Sequence, residues 1–314
     1  MSSPNSIVAW RSPAAGRCVV DILQSSPTLL QYLSNEENSN DGRRPPSSHR
    51  KLFIMFPGNP GIVQFYQDFC TFLESHKFDV LVMGLAGHSL TNLNGGRAFS
   101  LADQVDIADS FIATLLNRNT ERKYNGNVFV GGHSIGGFLA LQMVARYPAV
   151  KKCFGLCPVI CRIQESPNGP KASRLANPIA QLCIAMLAAL LALLPYRLRL
   201  LLVTRLEPGM EASLSESLAR HFYRAAFTNV FYMLATELRM LLQPDAPLLK
   251  RVQERLVVYY VKKDGWAPPA HAEEVRALCP RLSAFVMEED EKVPHAWCLH
   301  HSETVIENAI LPFC

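Results

Sequence analysis

Charge is what this sequence has least of. Lys, Arg, Asp and Glu make up 18% of its 314 residues, against roughly 25% in an ordinary soluble domain. Neither sign dominates: 31 basic residues stand against 27 acidic ones, a net charge of +4 with a pI near 8.6. That excess is too small to attract a polyanion, which argues against a nucleic-acid partner. Residues 1–9 are polar and too short for the apolar stretch of a secretory signal, so a cytosol-facing protein with reduced thiols is expected. The nine cysteines are an odd number and do not form a paired framework. Cys153, Cys157 and Cys161 recur at four-residue spacing in CFGLCPVIC. Zinc sites use closer pairs with partners elsewhere, so buried structural thiols are the preferred reading and no metal is expected. No internal repeat is apparent. Mean hydropathy is +0.08, and with the low charge this points toward contact with lipid.

What is present is a series of short apolar runs bounded by turn residues. Segments 18–23, 28–33, 51–56, 78–85, 127–132, 151–156 and 255–261 read as strands. The middle runs lack alternation, as strands buried on both faces do in a parallel sheet. Helical periods occupy 62–76, 100–118 and 136–147, so strand and helix alternate and the class is α/β. Residues 34–50 are polar and rich in Ser, Asn and Pro, which marks a surface loop. The alternation breaks at 158–254, a mostly helical insertion between a core of 1–157 and 255–314.

GGHSIGG, residues 131–137, lies between the strand at 127–132 and the helix that follows. Gly132, Ser134 and Gly136 fit G-x-S-x-G. On a sharp strand-to-helix turn such a serine exposes its hydroxyl, and small flanking residues let strand and helix pass closely. The pentapeptide alone is weak; the strand before it and the helix after it give it weight. A serine nucleophile needs a base, and the base needs an orienting acid. Asp264 follows the strand 255–261 in KKDGW, and His295 follows the strand-like segment 282–288 in VPHAW. Both stand in the chain order Ser, Asp, His of this constellation. Asp264 also reads as an ordinary Asp-Gly turn, and His295 as a loop histidine. His300 and His301 are rivals, expected inside the last helical segment. His133 would point away from Ser134. Asp290 and Glu291 belong to a charge run expected to face solvent.

An oxyanion needs donors. The backbone N–H of Ile135 is one candidate. The other is that of Asn59, in the FPGNPG loop after the strand 51–56, because Pro60 has no N–H. A plain loop with two tight turns is the alternative.

FPGNPG, GGHSIGG, KKDGW and VPHAW together resemble the lipid droplet-associated hydrolase family of the α/β-hydrolase superfamily, from about residue 50 to the C-terminus. The resemblance implies an α/β-hydrolase fold and a Ser134–Asp264–His295 triad that needs no cofactor. It also implies a cytosol-facing enzyme on lipid droplets and endoplasmic reticulum that cleaves lipid esters, cholesteryl esters in the first place.

Residues 175–194 contain only Asn177 and Gln181 as polar positions, with Pro178 and Pro195 near the ends. That approaches the roughly 20 apolar residues a spanning helix needs. YRLRLLLVTRL, 196–206, then places three arginines among leucines. The preferred reading of 175–206 is a helix, a proline bend and an amphipathic helix inserted in one leaflet, with arginines snorkelling to head groups. A full transmembrane pass and a buried lid are the alternatives. Three functions remain at this point: a serine esterase at a droplet surface, a droplet-surface protein acting without turnover, and a soluble small-ester hydrolase.

Overall fold

In the computed structural model the described residues are 5–14, 18–26, 29–30, 50–89, 93–116, 120, 123–206, 212–220 and 224–314. Their strands are β1 (Ser6–Ser12), β2 (Cys18–Gln24), β3 (Lys51–Phe56), β4 (Phe78–Met83), β5 (Val128–His133), β6 (Lys152–Leu156), β7 (Leu256–Val261) and β8 (Ala284–Glu288). They form one sheet in the order β1-β2-β4-β3-β5-β6-β7-β8. The pairs from β4 to β8 are parallel, and β1–β2 and β2–β4 are antiparallel.

Side chains alternate across the sheet and feed two cores. Leu52, Ile54 and Phe56 of β3 join Val128 and Val130 of β5 on one face. Phe53, Met55 and Phe129 point to the other. Helices α1 (Gln67–Ser75), α2 (Leu101–Leu115) and α3 (Ile135–Arg146) connect the first strands. A capping box between Ser100 and Asp103 starts α2. Helices α2 and α3 cover the first face and α1 the second. Burial on both faces explains why β3, β4 and β7 lack a polar–apolar alternation.

Between β6 and β7 run α4 (Gly169–Leu175), α5 (Pro178–Ala192), α6 (Tyr196–Leu206), α7 (Ala212–Arg220), α8 (Arg224–Met240) and α9 (Ala246–Val252). Asn177 caps α5, its side chain accepting from the Ile179 N–H, with Pro178 in the first turn. Helix α5 packs on α8. After β7 come α10 (Pro269–Leu278) and α11 (Ser302–Ala309).

Several expectations are adjusted. Strand β1 was not anticipated, because its hydrophobic alternation is weak and Ile7 is exposed. Of the strand expected at 28–33, Leu29 and Leu30 are helical and the rest lies outside the described residues, as does nearly all of the 34–50 loop. His300 and His301 precede α11 rather than lying within it. No single described helix is long and apolar enough to cross a membrane; α4 and α5 would do so only as a pair bent by 75°. A break at 193–195 separates α5 from α6.

Candidate active site

Strand β5 ends at His133 and α3 begins at Ile135, which leaves Ser134 alone in the turn at φ 54° and ψ −123°. A side chain in that left-handed region is strained, and a tightly packed frame must impose it. The frame is visible at the glycines. A Cβ on Gly132 would stand 2.0 Å from the Gly136 carbonyl oxygen, and one on Gly136 would stand 2.1 Å from that of Phe56.

His295, in the loop after β8, places Nε2 2.9 Å from the Ser134 Oγ and Nδ1 2.7 Å from Asp264 Oδ2. A carboxylate only accepts, so Nδ1 carries the proton, and Nε2 is left to accept from the serine hydroxyl. Asp264 is fully buried at its side chain. Its Oδ1 accepts from the N–H groups of Trp266 (2.7 Å) and Ala267 (2.9 Å). Asp264 is therefore a turn residue with one oxygen and the partner of His295 with the other. Burial works to raise its pKa. The hydrogen bond and charge of His295, with the two N–H donors, outweigh burial and hold the carboxyl below its ordinary value.

His133 does not idle beside the serine. Its Nε2 lies 2.8 Å from the His295 carbonyl oxygen, so it donates there. Nδ1, 2.7 Å from the Tyr66 hydroxyl, accepts. The same hydroxyl accepts from the Gly58 N–H at 3.0 Å. Burial, with the neighbouring His295 charge, pushes the His133 pKa down to about 3, so the ring stays neutral. Gly58, Tyr66, His133 and His295 thus form one hydrogen-bonded chain that ties the loop after β3 to the loop of His295. Sequence reading missed Tyr66 altogether, because nothing in VQFYQ sets it apart from a core aromatic.

Asn59 follows Gly58, and a Cβ on Gly58 would be 3.0 Å from that of Ser134. The Asn59 side-chain amide donates to the Val230 carbonyl (2.9 Å) and to Glu237 Oε1 (3.3 Å). No hydrogen bond to a described residue occupies the backbone N–H of Asn59 or Ile135. His300 and His301 do not line the cavity above Ser134. Asp290 and Glu291 are exposed, and Glu291 pairs with Lys263 at 2.6 Å. Cys153, Cys157 and Cys161 are buried, and burial raises all three thiols. Among the described residues, the grouping with metal-ligand spacing joins Cys157 to Asp264 and His295, not to the other two cysteines. Asp264 and His295 are already engaged with one another.

Ser134 opens into a cavity of about 500 Å³. Ile62, Phe65, Val159, Leu175, Phe231 and Leu234 supply much of its apolar wall, and α4 and α8 close one side.

A family model described as lipid-droplet associated hydrolase matches residues 49–298. The chain belongs to this family. Relatives named lipid droplet-associated hydrolase include one of Drosophila melanogaster, 25% identical over 279 residues that cover 82% of this chain and 86% of that protein. The Homo sapiens relative is 26% identical over 269 residues, 82% of each chain. Among solved structures, a putative lipase from Acinetobacter baumannii superposes with a TM-score of 0.63 at 15% identity, covering 99% of this chain and 91% of that one. A bacterial membrane phospholipase A does so at 0.61 and 16%, covering 97% and 84%. At such identities these two likenesses speak for the fold alone, and that fold is the α/β-hydrolase fold. The family is one of hydrolases, so its lipid-droplet members bring a lipid substrate into view for the site above.

Proposed function

We propose that the chain is a serine hydrolase of lipid esters acting at a lipid-droplet surface. The observation that carries this is the unbroken hydrogen-bonded line Ser134–His295–Asp264 opening on an apolar cavity. His295 takes the Ser134 proton as Oγ attacks the ester carbonyl, and Asp264 holds the imidazolium that forms. The N–H groups of Ile135 and Asn59 receive the oxyanion. His295 then returns the proton to the leaving alcohol, and water releases the acyl group by the reverse sequence. Every step uses side chains, backbone N–H groups and water, without a metal or organic cofactor. Cholesteryl esters are among the candidate substrates that the resemblance implies.

Docking is assigned to 175–206, with the helical insertion 158–254 as the cap that gates entry. On α5, α6 and the break between them, large apolar side chains face solvent: Ile179 is 74% exposed, Leu190 62%, Leu193 80% and Leu206 74%. A surface of this kind, with Arg197 and Arg205 exposed on α6, fits a phospholipid monolayer over an apolar interior, on droplets or on the cytosolic side of the endoplasmic reticulum. Leu175, at the end of α4 and just before α5, is 40% exposed and also lines the cavity wall. A lipid drawn from the monolayer would enter there.

Burying one leucine contributes about 1.5–3 kcal/mol. The double variant Leu190→Asp, Leu193→Asp is therefore expected to lower flotation with phospholipid-coated oil droplets by at least about ten-fold. Hydrolysis of an emulsified ester should fall with it, measured relative to a dissolved short-chain ester. Unchanged flotation and an unchanged ratio would contradict docking through this surface.

A further inference from the structure

One carboxyl in the cavity is not used by the reaction. Glu237 is the only acidic residue of α8 and is 3% exposed, among Met233, Leu234, Leu238 and Leu241. It lines the same cavity as Ser134. Its carboxyl has one hydrogen bond among the described residues, the 3.3 Å contact from Asn59 Nδ2 to Oε1. Asn59 is the residue next to Gly58, which adjoins Ser134, so the acid stands within one side chain of the loop that faces the reacting carbonyl. Burial pushes its pKa up to about 8, with the Asn59 bond pulling the other way, so at neutral pH it keeps its proton.

We propose that Glu237 is a substrate-recognition residue that hydrogen-bonds a free hydroxyl close to the scissile ester, and that the preferred substrates are partial acylglycerols rather than sterol esters. The inference rests on the serine-hydrolase reading above. A neutral carboxylic acid presents one donor and an acceptor side by side, and an alcohol hydroxyl matches both. A second ester carbonyl matches only the donor. A sterol ester has no oxygen beyond the ester itself, so filling the cavity with it would keep water from Glu237 and leave the acid's O–H without an acceptor, with only the Asn59 bond to its other oxygen retained, which costs affinity. Sites built to hydrogen-bond a substrate hydroxyl reject analogues that lack it far more strongly than apolar pockets reject a changed methylene.

The test compares kcat/KM for a monoacylglycerol and for the methyl ester of the same acyl chain, with the cholesteryl ester of that chain as a third substrate. Wild type should prefer the monoacylglycerol over both by at least about ten-fold. Glu237→Leu should bring the monoacylglycerol-to-methyl-ester ratio near one, and Glu237→Gln, which keeps a donor and an acceptor, should hold it within a few-fold of wild type. A merely structural role would slow both substrates together and leave the ratio where it was. Equal ratios in wild type and Glu237→Leu, or a wild-type preference for the cholesteryl ester, would overturn the inference. The wild-type ratio decides even if the leucine variant does not fold. If wild type cleaved none of the three esters and took no fluorophosphonate label, the serine-hydrolase reading would fall, and this inference with it.

Discussion

Asp264→Asn should lower kcat on a dissolved ester by about 10⁴-fold, the scale of removing the orienting acid from a serine triad. The expectation follows from which atoms donate. In the wild type Asp264 Oδ2 can only accept, so it fixes the proton on His295 Nδ1 and leaves Nε2 bare for the Ser134 hydroxyl. Asparagine keeps a carbonyl oxygen for the N–H groups of Trp266 and Ala267, so the turn is preserved. Its amide then faces Nδ1 as a donor. His295 answers with the other tautomer, which carries its proton on Nε2 and cannot take one from Ser134. The change corresponds to about 5–6 kcal/mol in the barrier, while the melting temperature should move little. A loss of less than ten-fold, in a variant that melts like wild type, would mean that Asp264 does not orient the base.

The second large effect is on the frame. Gly136→Ala places a methyl 2.1 Å from the Phe56 oxygen, 2.6 Å from its carbonyl carbon and 2.7 Å from the Pro57 oxygen. All three are backbone atoms at the end of β3, so no side chain can swing aside, and either α3 or the loop carrying Gly58 and Asn59 must move. Overpacking of this kind costs about 3 kcal/mol or more, a drop in melting temperature on the order of 5–10 °C. Activity should fall further than stability, because the displaced loop carries the Asn59 N–H. Gly95→Ala is the control. Its methyl meets no described residue within 4 Å and incurs the left-handed backbone penalty of a residue at φ 61°, about 1–2 kcal/mol. Equal melting temperatures and rates in the two variants would contradict the close approach at Gly136.

How much of this could be read in advance depends on whether a residue's partners are local. Strands β3 to β7 were legible because burial on both faces leaves runs without polar–apolar alternation. Ser134 was legible because the glycines around it answer to backbone contacts within a few residues. Asp264 and His295 stood at the right ends of late strands, and the structure brings both to Ser134. Strand β1 was not legible, since an edge strand with one weakly apolar face carries little pattern. Leu29 and Leu30 read as part of a strand because a short apolar run does not distinguish strand from helix. His133 was set aside as pointing away from the serine. Its partners, Tyr66 and the His295 carbonyl, lie 67 and 162 residues off in the chain. Glu237 stayed hidden for the same reason. A lone acid on an apolar helix gives a hint, but only the packing of α8 over the cavity puts it beside Asn59.

The measurement that bears most directly on the account is fluorophosphonate labelling of wild type and Ser134→Ala, each with and without a lipid emulsion. The probe forms a bond only with an activated serine in an open site. Wild type should be labelled, more rapidly with emulsion, and Ser134→Ala should not be labelled under either condition. Absence of label on wild type even with emulsion, or label that persists in Ser134→Ala, would contradict Ser134 as the nucleophile.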